Sequence, residues 1–314
     1  MPELPEVETV RRGLETWVIG KKIKKIEILH KGGNRATTIA PLSVVEGAKI
    51  RKMNRRGKFL WFELNRDLAL VAHLGMSGQF IIQEKKAPDE RHLRVRIDCG
   101  DRRRELRFID QRTFGWVAID QLVSEAGSEI PISFTRIARD IFDPEFDRAK
   151  VLESIGKKKS AIKRVLLDQA VMSGVGNIYA DEALWLAKIH PERIASLLEP
   201  GEVTSLLKAV KKVMTAALKQ GGTSFDDLYI NVNGESGYFD VELEAYGQEG
   251  EPCSRCGTQI RRIRFGNRSS HFCPRCQTKK PSKKVGLKQL NARVSCLPSI
   301  QPRPKPPALA ATSP

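Results

Sequence analysis

Four cysteines constrain this chain more tightly than any other feature of its 314 residues. Cys253-x-x-Cys256 and Cys273-x-x-Cys276 form two pairs separated by sixteen residues. Each pair presents two thiolates from one tight turn. Four thiolates close a tetrahedral zinc site with no open position, which makes such a site structural rather than catalytic. In a long chain that lacks a secretory pattern at its start, this spacing favours metal over disulfides. Between the pairs, Ile260, Ile263 and Phe265 sit among Arg261, Arg262, Arg264 and Arg268. That pattern predicts a small β-hairpin pinned by one Zn2+, with an arginine-rich surface. Cys99 and Cys296 have no comparable partners and are expected as free thiols.

The arginines belong to a wider imbalance. The chain carries a net charge of +17 with a pI near 9.7, which points to a polyanionic partner, most simply nucleic acid. The segment after Cys276 holds eight lysines and arginines and no acid, so about half of that excess belongs to a tail. The tail is Lys-rich, then Pro-rich, and is expected to be disordered. Hydrophobic residues make up 40% of the chain, as in ordinary globular proteins, and no apolar run approaches a membrane span. A cytoplasmic location is expected. The length suggests two domains, each with its own core.

Along the chain, residues 4–16 read as a helix with Leu4, Val7, Val10 and Leu14 roughly on one face. Strand patterns follow. Phe59–Phe62 and Leu68–Ala72 are continuous apolar runs, whereas Leu93, Val95 and Ile97 alternate with Arg94, Arg96 and Asp98. Leu106 and Phe108 continue the alternation around Arg107. The region to about residue 125 is therefore expected to be a β-sandwich or barrel led by a helix. Its strand arginines would form either a solvated face or the wall of a polyanion groove. Residues 125–147 read as a linker. Beyond them the period turns helical, with stripes at Ala180, Ala183, Leu184 and Ala187 and at Val203, Leu206, Leu207 and Val210. Gly221-Gly222 would close the last of these helices, and a turn-rich loop follows.

Two stretches carry chemistry. Removal of Met1 would leave Pro2 with a free secondary amine, partly uncharged near neutrality because α-amino groups titrate at about 7.7–8.0. Such an amine can attack a sugar carbon and form a cationic iminium, and Glu3 lies beside it for proton transfer. The same residues also make an ordinary helix start, with Pro5 early and Glu3, Glu6 and Glu8 opposing the macrodipole. The second stretch is Gly174-Val175-Gly176-Asn177-Ile178-Tyr179-Ala180-Asp181-Glu182, a tight turn opening a helix. Free amides at a helix start attract phosphate, and Asn177 is placed to cap the helix or reach a ligand. Lys163 and Arg164 precede the turn.

Pro2-Glu3-Leu4-Pro5-Glu6-Val7-Glu8-Thr9-Val10, the Gly174–Glu182 stretch and the four-cysteine hairpin, in that order and spacing, resemble bacterial formamidopyrimidine-DNA glycosylases. The resemblance runs from residue 2 to about 277. It implies an α+β protein: an N-terminal β-sandwich with a leading helix, a helix–two-turn–helix domain and a C-terminal zinc-finger hairpin. The boundaries it suggests are 2–125, a linker at 126–147, 148–224, a lesion-recognition loop region at 225–247, 248–277 for the zinc finger, and a basic tail at 278–314.

The resemblance also implies roles. Pro2 would attack C1′ of a damaged nucleotide, Glu3 would shuttle protons, and Lys58 would contact phosphate and assist the chemistry. Lys163, Asn177 and Arg268 would hold phosphates around the lesion, and His92 is expected among the DNA contacts. A nucleotide turned out of a duplex leaves a gap. Met76 and Phe114 would wedge into it while Arg112 faces the orphaned cytosine, a set resembling the purine-specific branch of the superfamily. The implied function is excision of oxidised purines from duplex DNA with nicking of the abasic site, by a monomer that needs one structural zinc. Two alternatives stand beside it, an endonuclease VIII-like enzyme for oxidised pyrimidines and a non-catalytic binder of damaged DNA. The sequence departs from the family at Ala138-Arg139-Asp140-Ile141, which lacks the glycine and prolines usual there, and in its longer tail.

Overall fold

The computed structural model describes residues 2–30, 39–221 and 243–279. Helix α1 (Leu4–Val18) opens the chain. Nine strands follow: β1 (Lys25–Ile28), β2 (Ile50–Arg56), β3 (Phe59–Leu64), β4 (Leu68–His73), β5 (Gly78–Glu84), β6 (Leu93–Asp98), β7 (Arg104–Asp110), β8 (Trp116–Glu125) and β9 (Ser128–Pro131). Helices α2 (Arg148–Lys157), α3 (Ile162–Leu166), α4 (Asn177–Leu186) and α5 (Pro200–Gln220) come next, then β10 (Arg261–Phe265) and β11 (Arg268–Phe272).

The strands form two antiparallel sheets, β1-β6-β7-β5 and β2-β3-β4-β8-β9. They face each other across one core. Ile26, Phe80, Val95, Ile97, Leu106 and Phe108 come from the first sheet and Met53, Leu60, Phe62, Leu70, Val117 and Ile119 from the second. Period-two geometry sends Trp61, Val71 and Ala118 to the opposite face of the second sheet. There Phe134, from a 3-10 turn at Ile132–Phe134, covers them. Burial on both faces explains why β3 and β4 read as continuous apolar runs rather than alternations.

The strand arginines have neither of their expected fates. Arg107 is fully buried. Its guanidinium donates to Glu105 Oε1 (2.8 Å), Glu90, and the carbonyls of Pro88 (2.8 Å) and Ala87 (3.1 Å). Arg94 is buried and donates to the Asp110 carbonyl at 2.7 Å, while Arg96 pairs with Glu27, Asp89 and Glu105. Residues 84–90 fold over Arg107, which braces that loop instead of facing water or a polyanion, while Arg96 stays half-buried among its acids.

The expected linker is also more ordered than its proline and glycine content suggested. It contains the end of β8, β9 and the 3-10 turn, and Asp140 within it is buried. Asp140 accepts from Arg55 Nη1 (2.8 Å) and the Gly57 amide (3.2 Å), tying the segment back to the β2–β3 turn.

Helix α1 spans two cores. Val7, Val10, Leu14 and Val18 pack into the sandwich, whereas Leu4, fully buried, belongs to the helical core with Val165, Val175, Tyr179, Leu206 and Val210. Both helical stripes read from the sequence face that second core. Gly221 ends α5 in the left-handed region (φ 87°), as the sequence predicts. The Ser224–Tyr238 loop, Gly222, Cys296 and the tail beyond Lys279 lie outside the described residues.

Arg107→Ala would strand a buried Glu105 and several carbonyls. The expected loss of unfolding free energy is about 3–5 kcal/mol by urea titration, against about 0.5 kcal/mol or less for Arg112→Ala on the exposed loop after the same strand.

Candidate active site

The amino-terminal turn docks onto the start of α4. The Leu4 amide donates to the Gly174 carbonyl at 3.1 Å, which brings Glu3 against the Gly174–Tyr179 backbone. Glu3 is 2% exposed, and its carboxylate accepts from the amides of Gly176 (2.6 Å), Ile178 (2.9 Å) and Tyr179 (3.4 Å). The amides that the sequence offered to a phosphate are thus taken by the chain's own third residue. Asn177 does not cap α4; Gly176 stands at the cap position, and Glu3 supplies the carboxylate from 173 residues away. Glycine at 176 is obligatory here, because a Cβ would lie 2.3 Å from the Glu3 carboxyl carbon. Glu6 completes the turn, accepting from the Glu3 amide (2.8 Å) and the Tyr179 hydroxyl (2.7 Å). Pro2 is half-buried at the head of this assembly.

Lys58 lies with Gly57 in the β2–β3 turn and is 6% exposed. Gly57 holds φ +56° and abuts Ser173, where a Cβ would meet the serine side chain at 2.7 Å, so the turn sits directly on the Gly174 loop. Burial pushes the Lys58 ammonium below its usual pKa, with Glu3 opposing the shift and Arg268 adding to it. Burial pushes the Glu3 carboxyl above the usual carboxylate range, while Lys58 and the α4 amides resist. Glu3, Lys58 and Arg268 therefore share one electrostatic neighbourhood, assembled from three distant parts of the chain.

The same edge of the sandwich carries the exposed triad. Phe59, His73 and Trp116 are register neighbours on β3, β4 and β8, and their rings touch with centroids 4.7 Å (Phe59–His73) and 6.0 Å (His73–Trp116) apart. Just beyond this row project Met76 (37% exposed) and Phe114 (59% exposed), with Arg112 also in solvent. Large apolar side chains left exposed on ordered loops signal an interaction surface. Two residues that the sequence reading missed build this surface. Asp110, fully buried, accepts from the Ser77 hydroxyl (2.5 Å) and from the amides of Arg112 (3.2 Å) and Gly115 (2.6 Å). Ser77 Oγ in turn accepts from the Arg112 amide at 2.9 Å. A buried acid between an apolar strand and an exposed Arg-x-Phe was the available signal. His92 is half-buried at the entry to β6, and its carbonyl accepts from the Asp110 amide (3.0 Å).

The third group surrounds Ser269. Arg268 is exposed at the start of β11. Asn177 Nδ2 (3.2 Å) and Lys163 Nζ (2.9 Å) both donate to the Ser269 carbonyl. Lys163 corrects the sequence expectation. Its side chain is fully buried and its charge is met by Asp181 at 2.7 Å, so no surface remains for a phosphate. It braces the hairpin that carries Arg268. Asp181 also accepts from the Ser270 hydroxyl (2.7 Å) and the His271 amide (2.9 Å), and neighbouring Glu182 accepts from the amides of Glu244, Ala245 and Tyr246. Cys253, Cys256, Cys273 and Cys276 place their sulfurs within 4.8 Å of one another. Four thiolates 2.3 Å from a tetrahedral zinc stand ~3.8 Å apart, so the donor set and its spacing fit that ion. Gln277 locks the module to the helices, accepting from the Cys273 amide (2.8 Å) and donating to the Ile189 carbonyl (2.9 Å).

Comparison with known proteins matches the chain to three family models. They are the formamidopyrimidine-DNA glycosylase N-terminal domain over residues 1–117, the formamidopyrimidine-DNA glycosylase H2TH domain over 137–228, and the zinc finger found in FPG and IleRS over 250–279. The formamidopyrimidine-DNA glycosylase of Nocardioides sp. is 53% identical, covering 88% of this chain and 94% of that protein. The chain belongs to the formamidopyrimidine-DNA glycosylase family. Among solved structures, the fold is similar to Lactococcus lactis Fpg bound to DNA containing an abasic site (TM-score 0.75, 34% identity). It is similar also to MutM in complex with DNA containing carbocyclic 8-oxo-G (TM-score 0.76, 35% identity). Both alignments cover 88% of this chain and 100% of the other. The formamidopyrimidine-DNA glycosylase architecture read from the sequence is the one observed: a helix-led sandwich, a helical region and a zinc hairpin.

Gly176→Ala is expected to expel Glu3 from the α4 terminus and lower unfolding stability by about 2–4 kcal/mol, since hydrogen bonds to a charged group contribute about 1.5–3 kcal/mol each. Gly156→Ala on α2, where a Cβ meets nothing within 4 Å, should instead hold or raise it by up to about 1 kcal/mol. Chelation should release one zinc per chain and abolish amide-exchange protection in β10 and β11 while leaving the sandwich protected.

Proposed function

We propose that this protein excises oxidised purines such as 8-oxoguanine from duplex DNA and cleaves the resulting abasic site, with the amine of Pro2 as nucleophile. The observation that carries this reading is the burial of Glu3 and Lys58 in one electrostatic neighbourhood beside the residue that would become the amino terminus. Membership of the family and its DNA-bound relatives support the substrate class.

In the proposed reaction the Pro2 nitrogen lone pair bonds to C1′ as the glycosidic C1′–N bond breaks, and the departing base takes a proton. Opening of the sugar gives an iminium between Pro2 and C1′. Loss of a C2′ proton then expels the 3′ phosphate, and a second elimination expels the 5′ phosphate. Hydrolysis of the iminium returns Pro2. Glu3, enclosed beside Pro2 with its carboxyl raised above the usual carboxylate range by burial, is suited to relay these protons. Lys58, buried in the same neighbourhood, is placed to contact a phosphate and assist the chemistry.

The exposed Met76, Arg112 and Phe114 would fill the gap left by the flipped nucleotide, with His92, Asn177 and Arg268 contacting the backbone. Wedging side chains into a stack costs a few kcal/mol, offset by contacts that only the bent duplex permits. We read the protein as a monomer, and bacterial relatives favour a cytoplasmic site of action.

Borohydride reduction during turnover of an 8-oxoguanine:cytosine duplex should trap a covalent protein–DNA adduct. Protein extended by two residues ahead of Pro2, in which the nitrogen is a tertiary amide, should trap none. An adduct of equal yield in the extended protein would sink the assignment of Pro2. Faster cleavage of a thymine-glycol duplex than of the 8-oxoguanine duplex would sink the purine assignment.

A further inference from the structure

The sandwich is polar along its length. Lys58, Gly75, Asp110 and the amino end of α1 lie at one pole, where the candidate active site is built. The other pole gathers the carboxyl end of α1, the start of β1, the end of β5 and the β6–β7 turn. The Lys24 amide donates to the Asp98 carbonyl (2.7 Å), Lys85 donates its amide to the Arg103 carbonyl (2.8 Å), and Glu84 faces Arg104 across the ladder. Helix α1 has fifteen residues and rises about 1.5 Å for each, which separates the poles by roughly 22 Å. That is more than twice the Debye length of about 8–10 Å near physiological salt, so charge here acts independently of the active-site pole.

This remote pole is strongly basic. Lys21 and Lys85 are spent on Asp101 (3.3 Å) and Asp98 (2.7 Å). Lys22, Lys24, Lys86, Arg102, Arg103 and Arg104 are exposed, and none forms an ion pair with another described residue. The turn that presents the arginines is held firmly. Gly100 takes φ +78°, Asp98 Oδ1 accepts from its amide (2.7 Å), and Asp101 Oδ1 accepts from the amides of Arg103 (2.9 Å) and Arg104 (3.0 Å). Asp98 and Asp101 are thereby consumed by backbone and by the two spent lysines, leaving three consecutive exposed guanidinium groups on a rigid hairpin, with Glu84 opposite Arg104 across the ladder. Most other arginines of the sandwich are paired or buried, which makes this concentration of free ones distinctive.

We propose that this pole is a second DNA-binding surface, which engages the phosphodiester backbone of another duplex segment while the active-site pole holds its own. Charge complementarity selects the occupant. Guanidinium forks match phosphate oxygens, and a protein whose other pole works on duplex DNA meets phosphate at high local concentration. A protein holding one duplex can then pass to a second without first dissociating into solution.

The test uses the full-length chain and a variant carrying Arg102→Ser, Arg103→Ser and Arg104→Ser. Each protein is pre-bound to a fluorescent duplex and challenged with rising concentrations of unlabelled, lesion-free duplex. For the natural chain the observed departure rate should climb linearly with competitor duplex. In the variant that dependence should fall about fivefold, while the rate extrapolated to zero competitor is unchanged. A variant with lysine at all three positions should retain most of it. Single-turnover excision with protein in excess should match the natural chain within about twofold, a readout separate from borohydride trapping. The tail is common to all three proteins and cancels. Equal competitor dependence in the serine variant would overturn the proposal. So would a matching loss in single-turnover excision, which would place these arginines in the footprint of the first duplex. Acceleration by polyglutamate equal to that by duplex at the same charge concentration would overturn the assignment to DNA.

Discussion

One carboxylate holds the two halves of this molecule in register. Glu3 reaches the first turn of α4 and takes up the amides that begin that helix, where the macrodipole and the free N–H groups both favour negative charge. Leu4 follows it into the helical core while Val7 and Val10 enter the sandwich core, so a single helix is anchored in both. The arrangement leaves little room for variation. Gly174 and Gly176 both lie closer to this segment than any side chain would allow, with Leu4 Cδ1 and the Glu3 carboxyl at 2.5 and 2.3 Å from where a Cβ would be. Whatever chemistry Pro2 performs is positioned by residues whose own packing is not negotiable.

The zinc hairpin depends on a comparable device at the other side of α4. Asp181 and Glu182 are adjacent acids at the middle of that helix, and each collects several donors from the segment that follows α5. Lys163 neutralises Asp181 in a fully enclosed pair. Such pairs contribute little net stability compared with an apolar replacement but are costly to break singly, which suits a role in fixing orientation. The four cysteines pin the open end of the hairpin and Asp181 grips β11 at Ser270 and His271, close to the turn that carries Arg268.

Electrostatics divides the sandwich into interior and exterior uses of arginine. Arg55, Arg94 and Arg107 are enclosed and satisfied by acids and carbonyls, whereas Arg102–Arg104 at one pole and Arg112 at the other remain in water. The net charge of +17 is therefore a poor guide to where a polyanion would bind. Only the side chains left unpaired by the fold are available for that purpose, and in the sandwich Arg102–Arg104 and Arg112 sit at strand ends rather than along strand faces.

Much of this was legible in the residues alone. The cysteine spacing dictated a closed four-thiolate site, because short Cys-x-x-Cys turns can present sulfurs in only a few ways. The stripes at Ala180–Ala187 and Val203–Val210 marked two helices of the second core, although α4 proves buried on nearly every side, and the head of the chain read as a helix start. Other features were out of reach. That Arg107 is buried follows from residues 84–90 folding over it, and an alternating strand looks identical whether its second face meets water or a loop. Lys163 and Arg164 are neighbours in a basic stretch, yet one is sealed against Asp181 and the other exposed, since helical rotation and the placement of the zinc hairpin decide which is covered. The sequence by itself determined the elements, the metal ligands and the chemical repertoire, all of which follow from local spacing and side-chain type. Tertiary structure decided which charges are spent internally and which backbone amides are already occupied, because those depend on partners up to 176 residues away that only folding brings within reach.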